Sequence, residues 1–195
     1  MSRIAHVPLD RWDADLRTQS HADQATPLEQ GALRMLAHRP AIARGVVALG
    51  AGIRQDRTLP ERLVELVRLR IAFHNQCRSC MAIRYRSAVE DGVDEDLVCS
   101  LEKPAEAPDL SDAERAALDY ADRFANNHLS IDEAYFQGLR RHFDDGELVE
   151  LGTWIAFCVG FGRLGATWDM TDEIPDAYRG EGTIRPSSGI PVVVR

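Results

Sequence analysis

Cys77-Arg78-Ser79-Cys80 are the residues of this 195-residue chain whose types and spacing best suit chemistry. A separation of three puts both sulfurs on one face of a helical turn, within reach of a disulfide after modest adjustment. A helix start presents unpaired N–H groups and partial positive charge, which stabilise a thiolate. Between positions 61 and 90 stand six arginines (Arg62, Arg68, Arg70, Arg78, Arg84 and Arg86) against three glutamates (Glu61, Glu65 and Glu90). The thiolate is the nucleophile, so this basic setting favours attack on a peroxide or a disulfide. Two other readings of the spacing stay open. A CxxC supplies half of a structural zinc site, yet no second CxxC or HxxxH completes four ligands, and Cys99 and His74 would have to come together by tertiary accident. Alternatively, both cysteines are incidental packing residues.

The elements that must position the pair read as helices. Residues 1–26 are polar and weakly periodic, an expected N-terminal arm. The stretch 27–39 reads as a short helix ended by Pro40, and 41–54 as a second, apolar one. Leu63, Val64, Leu66, Val67, Leu69, Ile71 and Phe73 are apolar on nearly all sides of a helix from 61 to 75, so that helix is expected to be buried. The span 77–90 reads as the next helix, closed by Gly92. Asp94 is placed to cap a short helix after it. Ser111 with Glu114, and Ser130 with Glu133, read as capping boxes. Residues 148–164, with Trp154, Ile155, Phe157, Val159 and Phe161, read as a central core helix. Residues 172–195, rich in Pro, Gly and Ser, read as an extended tail, suited to lying on a neighbouring subunit. Nothing in the body alternates with a two-residue period, so the expected fold is all-α.

Composition narrows the function classes. A hydrophobic share of 45% and a charged share of 28% are those of a globular domain, and a net charge of −8 argues against a nucleic-acid binder. The N-terminus lacks a signal-peptide apolar stretch, and no apolar run reads as long enough to span a bilayer. A cytoplasmic location follows as the expectation, where cysteines serve redox chemistry or metals before structural disulfides.

Glu65, twelve positions before Cys77, together with the CxxC and the Ala88–Val98 stretch around Gly92-Val93-Asp94, resembles the alkylhydroperoxidase D and carboxymuconolactone decarboxylase family. The likeness extends through LSDAERAALDYADRF and DDGELVELGTWIAFCVGFGRLG, covering residues 27–171. It implies an alkylhydroperoxidase D-like helical bundle and a thiol-dependent peroxidase or disulfide reductase. Carried over, Cys80 attacks the peroxide and becomes a sulfenic acid, and Cys77 resolves it to a disulfide. The resemblance also implies a lipoyl- or thioredoxin-type dithiol reductant, a homo-oligomer, and no cofactor or metal. Glu65 would begin a proton relay.

One position departs from the family pattern. Where a His stands four residues after the second cysteine, this chain has Arg84. On a continuous helix Arg84 shares a face with Cys80 and stabilises its thiolate, but a guanidinium shuttles no proton. His74 is the candidate substitute relay. Glu65 also has a plain reading, as a solvated ion pair with Arg68; if buried it needs a partner, such as Arg84.

Other features carry less. Gly160-Phe-Gly162-Arg-Leu-Gly165 matches GxGxxG but lies in a helical run with no preceding strand, so its glycines read as helix-packing residues. Cys158 reads as an inert core thiol, Cys99 as structural, His128 as a helix-end cap, and Trp12, Trp154 and Trp168 as packing residues. Two further functional classes remain beside the thiol enzyme. One is a carboxymuconolactone decarboxylase-like lyase, which needs no cysteines; the other is a non-catalytic, redox-responsive helical assembly.

Overall fold

The computed structural model describes residues 2–180, 182–187 and 189–195. The N-terminal arm is structured: a 3-10 turn at Leu9–Arg11 leads into α1 (Ala14–Ser20), whose N-terminus Asp13 caps by accepting from Leu16 N. Instead of one helix, the next stretch forms two, α2 (Pro27–Gln30) and α3 (Leu33–Leu36). Gly31, at φ +47°, breaks them, a backbone state that glycine reaches without a Cβ penalty. Pro40 opens α4 (Pro40–Gln55) rather than ending its predecessor, because the first helical position needs no N–H donor.

The centre is α5 (Glu61–Asn75), which packs most extensively against two later helices, α9 and α11, introduced below. Leu66, Leu69 and Ile71 on α5 are wholly buried. Each contributes about 1.5–3 kcal/mol of hydrophobic stabilisation. Gln76 then takes a left-handed conformation (φ 51°) and its N–H closes the last turn on the carbonyls of Ala72 and Phe73. That turn starts α6 (Arg78–Ala82) directly after Cys77.

The helix expected over 77–90 is interrupted. Ile83 is extended (φ −102°, ψ 140°), and β1 (Ile83–Arg84) pairs in parallel with β2 (Val193–Val194) from the tail. After it come α7 (Arg86–Glu90) and α8 (Glu95–Ser100), the latter capped by Asp94. The helix α9 (Asp112–Asn126) has the expected Ser111/Glu114 capping box. In α10 (Glu133–Leu139) the cap is Asp132, which accepts from Tyr135 N, while Ser130 closes a 3-10 turn. Last is α11 (Asp145–Thr167), opened by a capping box of Asp144 and Glu147.

Contrary to the sequence expectation, α11 is long and apolar enough to cross a membrane by length and composition. Here it is the core helix, packed on α5 and α9, and it carries Glu147, Glu150 and Arg163. Leu148, Leu151, Ile155 and Val159 on α11 join the main core with α5, α8 and α9. A second core gathers Trp12, Leu16, Leu36 and Ala43 under Trp168. The tail belongs to a third, in which Ile174 and Tyr178 pack on Ala72, Met81 and Ala82.

The tail thus lies on its own chain. Arg78 donates to the carbonyls of Tyr178 (2.9 Å) and Gly182 (2.8 Å), and Gln76 exchanges two hydrogen bonds with the Ile184 backbone. These bonds strap the tail, at Tyr178, Gly182 and Ile184, across the segment that carries the CxxC. The fold is all-α apart from the two-residue pairing of β1 with β2.

Candidate active site at the Cys77–Cys80 pair

Cys77 occupies the N-cap position of α6, and Cys80 lies one turn on; the two are joined by a disulfide with Cα atoms 5.2 Å apart. Their surroundings differ. Cys77 is fully buried against α11, where a Cβ on Gly165 would sit 3.4 Å from its Sγ. Cys80 is half-buried and faces open space. Gly162, one turn earlier, is tighter still, since a Cβ there would lie 2.6 Å from Asn75 Nδ2. Those two glycines serve close packing of α11 on the CxxC segment, whereas Gly160 faces open space.

Glu65 and Arg68 are both buried, at 2% and 7% exposure, and pair through two hydrogen bonds: Arg68 Nε to one carboxylate oxygen (2.6 Å) and Nη2 to the other (2.7 Å). Burial disfavours the Arg68 cation, and Glu65 more than offsets this, so the guanidinium pKa is raised. Arg68 also donates to the carbonyls of Cys80 (2.7 Å) and Ile83 (2.7 Å). A fixed positive charge therefore stands at the backbone of the half-buried cysteine. The partner expected for Glu65, Arg84, is elsewhere, and the pair with Arg68 is buried rather than solvated.

Arg84 does not share a helix face with Cys80, because α6 has already ended. Its buried guanidinium makes two hydrogen bonds to Glu95 (2.8 and 2.9 Å) and caps the carbonyls of Met81 and Ile83. It ties β1 to α8. His74 is also turned away. Its Nε2 meets Asp122 Oδ1 at 2.9 Å and Asn126 at 3.2 Å, on the α9 side, and it does not line the cavity described next. Among the described residues no three His, Cys, Asp or Glu side chains gather in a metal-binding arrangement. His128 stands in a 3-10 turn after α9, whose C-cap is Asn127.

A cavity of about 790 Å3 opens beside the pair and is lined by Cys77, Ser79 and Cys80. One wall is aromatic: Trp154 stacks on Phe157 (centroids 5.9 Å apart, planes 7° apart), and Phe157 meets Phe161 at 4.7 Å. These come from the α11 stripe read as pure core. Trp154 is fixed by donating Nε1 to Val64 O (3.0 Å). Cys158, on the same helix, also borders the cavity, but burial pushes its thiol up to about 12, which leaves it an unreactive thiol as expected. Cys99 is a free thiol outside this cavity. Arg68, Tyr85 and Arg195 also line it, with both guanidinium groups over the Tyr85 ring.

From sequence, Arg68 was read only as a solvated partner of Glu65 and the aromatic wall only as core, and Tyr85 and Arg195 were not singled out. A signal for Arg68 existed: it lies three residues after Glu65 on a helix too apolar to solvate a carboxylate. For Arg195 no local signal exists, since only the tertiary path of the tail brings it near.

Comparison with known proteins follows this geometry. The carboxymuconolactone decarboxylase family model matches residues 40–123. The uncharacterized protein Rv2313c of Mycobacterium tuberculosis is 38% identical over 97 residues, which cover 49% of this chain and 34% of that protein. The uncharacterized protein YnjA of Escherichia coli is 31% identical over 110 residues, covering 56% and 58%. The chain thus spans about a third of the first relative's length. Among solved structures, the alkylhydroperoxidase AhpD core of an uncharacterized peroxidase-related protein from Ralstonia eutropha superposes with a TM-score of 0.71 at 22% identity, covering 94% of this chain and 97% of that one. The debrominase Bmp8 superposes at 0.67 with 19% identity, covering 92% and 95%. In motif, in matched sequence and in fold, the chain resembles the alkylhydroperoxidase D and carboxymuconolactone decarboxylase family.

Proposed function

We propose that the protein is a thiol peroxidase that reduces organic hydroperoxides through Cys80 and Cys77. The observation that carries this reading is the asymmetry of the pair: both cysteines border the cavity, but Cys80 is half-buried, with Arg68 bonded to its carbonyl, while Cys77 is wholly buried one helical turn away. In the reduced protein the Cys80 thiolate attacks the terminal peroxide oxygen, and the O–O bond breaks. The alkoxide leaves and takes a proton, giving an alcohol and a Cys80 sulfenic acid. Cys77 then displaces hydroxide, which leaves as water, and the disulfide forms. A dithiol reductant of lipoyl or thioredoxin type restores both thiols by exchange.

Charge, rather than a histidine relay, prepares the nucleophile in this scheme. Arg68 favours the Cys80 thiolate, and Glu65 is a positioning residue that holds Arg68 in place. Arg84 acts one step further out, fixing the strand that follows Cys80. His74, engaged with Asp122, takes no part.

Reduced protein supplied with cumene hydroperoxide and a dithiol should turn over, and Cys80→Ser should abolish turnover. Undiminished turnover in that variant would refute the assignment. A disulfide reductase uses the same pair and is distinguished by preferring disulfides to hydroperoxides. A lyase of carboxymuconolactone decarboxylase type would keep its activity in the Cys77→Ser/Cys80→Ser double variant. A redox-responsive assembly would form the disulfide without turnover and change its state of association. The reading includes a homo-oligomer, checked by light scattering, and a cytoplasmic location.

A further inference from the structure

Two guanidinium groups lie over the Tyr85 ring, and their electrostatic situations differ. Arg68, 4.9 Å from the ring centroid, is ion-paired with Glu65 and also donates to the carbonyls of Cys80 and Ile83. Arg195, 5.1 Å from it, donates Nη2 to Tyr85 Oη at 3.2 Å and forms no ion pair with a carboxylate of the described residues. Its place is set by backbone. Arg195 N donates to Arg84 O (3.0 Å) and Arg195 O accepts from Arg86 N (2.8 Å), continuing the pairing of β2 on β1. The tail therefore delivers a cation to the cavity that holds the disulfide.

The side-chain carboxylates that line the cavity have hydrogen-bond or ion-pair partners other than Arg195. Glu173 pairs with Arg34 at 2.7 Å, and Asp172 accepts from Ser2 and lies 3.5 Å from His6. Glu29 accepts from the Thr26 backbone and hydroxyl, which hold its carboxyl below the usual range; Arg195 adds a smaller push in the same direction. The same cavity is lined by the stacked Trp154 and Phe157 rings and by Phe161.

We infer that Arg195 and Tyr85 form an anion-binding subsite, and that the substrate is an amphipathic hydroperoxide that also carries a carboxylate. Its apolar body lies on the aromatic wall and its carboxylate on Arg195. A guanidinium with free donors suits a carboxylate, and a hydrogen bond between charged partners is roughly twice as strong as a neutral one. The inference rests on the reading that substrate reaches Cys80 through this cavity, but it concerns binding and not turnover.

Binding to the resting disulfide form therefore tests it. The full chain is titrated with 4-phenylbutyrate and with 4-phenylbutanol, which differ only in the charged group, by calorimetry. The acid should bind about tenfold more tightly than the alcohol. Arg195→Gln should erase that gap without changing the alcohol's affinity, and Arg195→Lys should keep most of it. If Arg195→Gln loosens the tail, seen as a lower melting temperature, Tyr85→Phe supplies the second variant and should narrow the gap severalfold. Equal affinities in the parent, no binding of either probe, or a gap that survives Arg195→Gln and Tyr85→Phe would each overturn the subsite. A gap that behaves as expected in a protein without peroxide turnover would sink the peroxidase reading and leave the subsite standing.

Discussion

Replacing Glu65 by glutamine is the sharpest test of how the site is held. The carboxylate and the Arg68 guanidinium are nearly inaccessible and joined by two short hydrogen bonds. Glutamine keeps the shape but removes the charge, and its amide N–H2 faces guanidinium donors. Arg68 is then a buried cation with no counter-charge. Breaking one side of such a pair costs about 3–5 kcal/mol. With a urea slope of about 2–3 kcal/mol/M, the unfolding midpoint should fall by roughly 1.5 M. The assay is urea unfolding followed by Trp fluorescence, on the disulfide form of parent and variant. Arg68→Met and the double variant complete the cycle. The double should recover part of the loss, although the carbonyls of Cys80 and Ile83 then lack their donor. A Glu65→Gln midpoint within about 0.3 M of the parent would refute the reasoning, because it would mean the pair is effectively solvated.

Three further outcomes follow from particular residues. The Asp122 carboxyl is disfavoured by burial, but hydrogen bonds from His74 and Arg70 outweigh this and lower its pKa from 3.8. Its contribution to stability is therefore complete above that value and is lost as pH falls below it; acid unfolding of Asp122→Asn should show a shallower pH dependence than the parent below about pH 4. A Cys158 thiol near 12 is ionised to roughly one part in ten thousand at pH 8, so native reduced protein should alkylate there far more slowly than at Cys80, read by peptide mass. Gly162→Ala would force a methyl onto Asn75, whose amide also holds the carbonyls of Cys158 and Val159, and should destabilise by about 1–3 kcal/mol in thermal unfolding.

Much of this arrangement was legible in local pattern. The all-apolar run on α5 announces a buried helix, Ser111 with Glu114 announces the start of α9, and the CxxC after α5 announces the turn that holds the disulfide. The helix break at Ile83 was not legible, because it depends on a strand from the far end of the chain and on Arg84 reaching Glu95. For the same reason the position of Arg84 misleads: four residues along a helix and four residues across a helix end point to different places. Glu65 was read correctly as a buried candidate only to the extent that its helix is apolar; its partner is decided by rotamer and packing, which favour the residue one turn away. The α11 aromatics show the limit most clearly. Periodicity marks Trp154, Phe157 and Phe161 as inward-facing, and inward-facing residues line a cavity as readily as they fill a core.

The central claim is that Cys80 is the attacking sulfur and Cys77 the resolving one. The most direct measurement mixes anaerobically reduced Cys77→Ser protein with one equivalent of cumene hydroperoxide and follows the intact mass and a dimedone adduct over time. The account predicts a rapid gain of one oxygen, trapped by dimedone on Cys80, with the mirror variant Cys80→Ser unreactive at Cys77 on the same timescale. Oxidation of Cys77 in Cys80→Ser at an equal rate, or a Cys80 no faster than an ordinary exposed thiol, would contradict it.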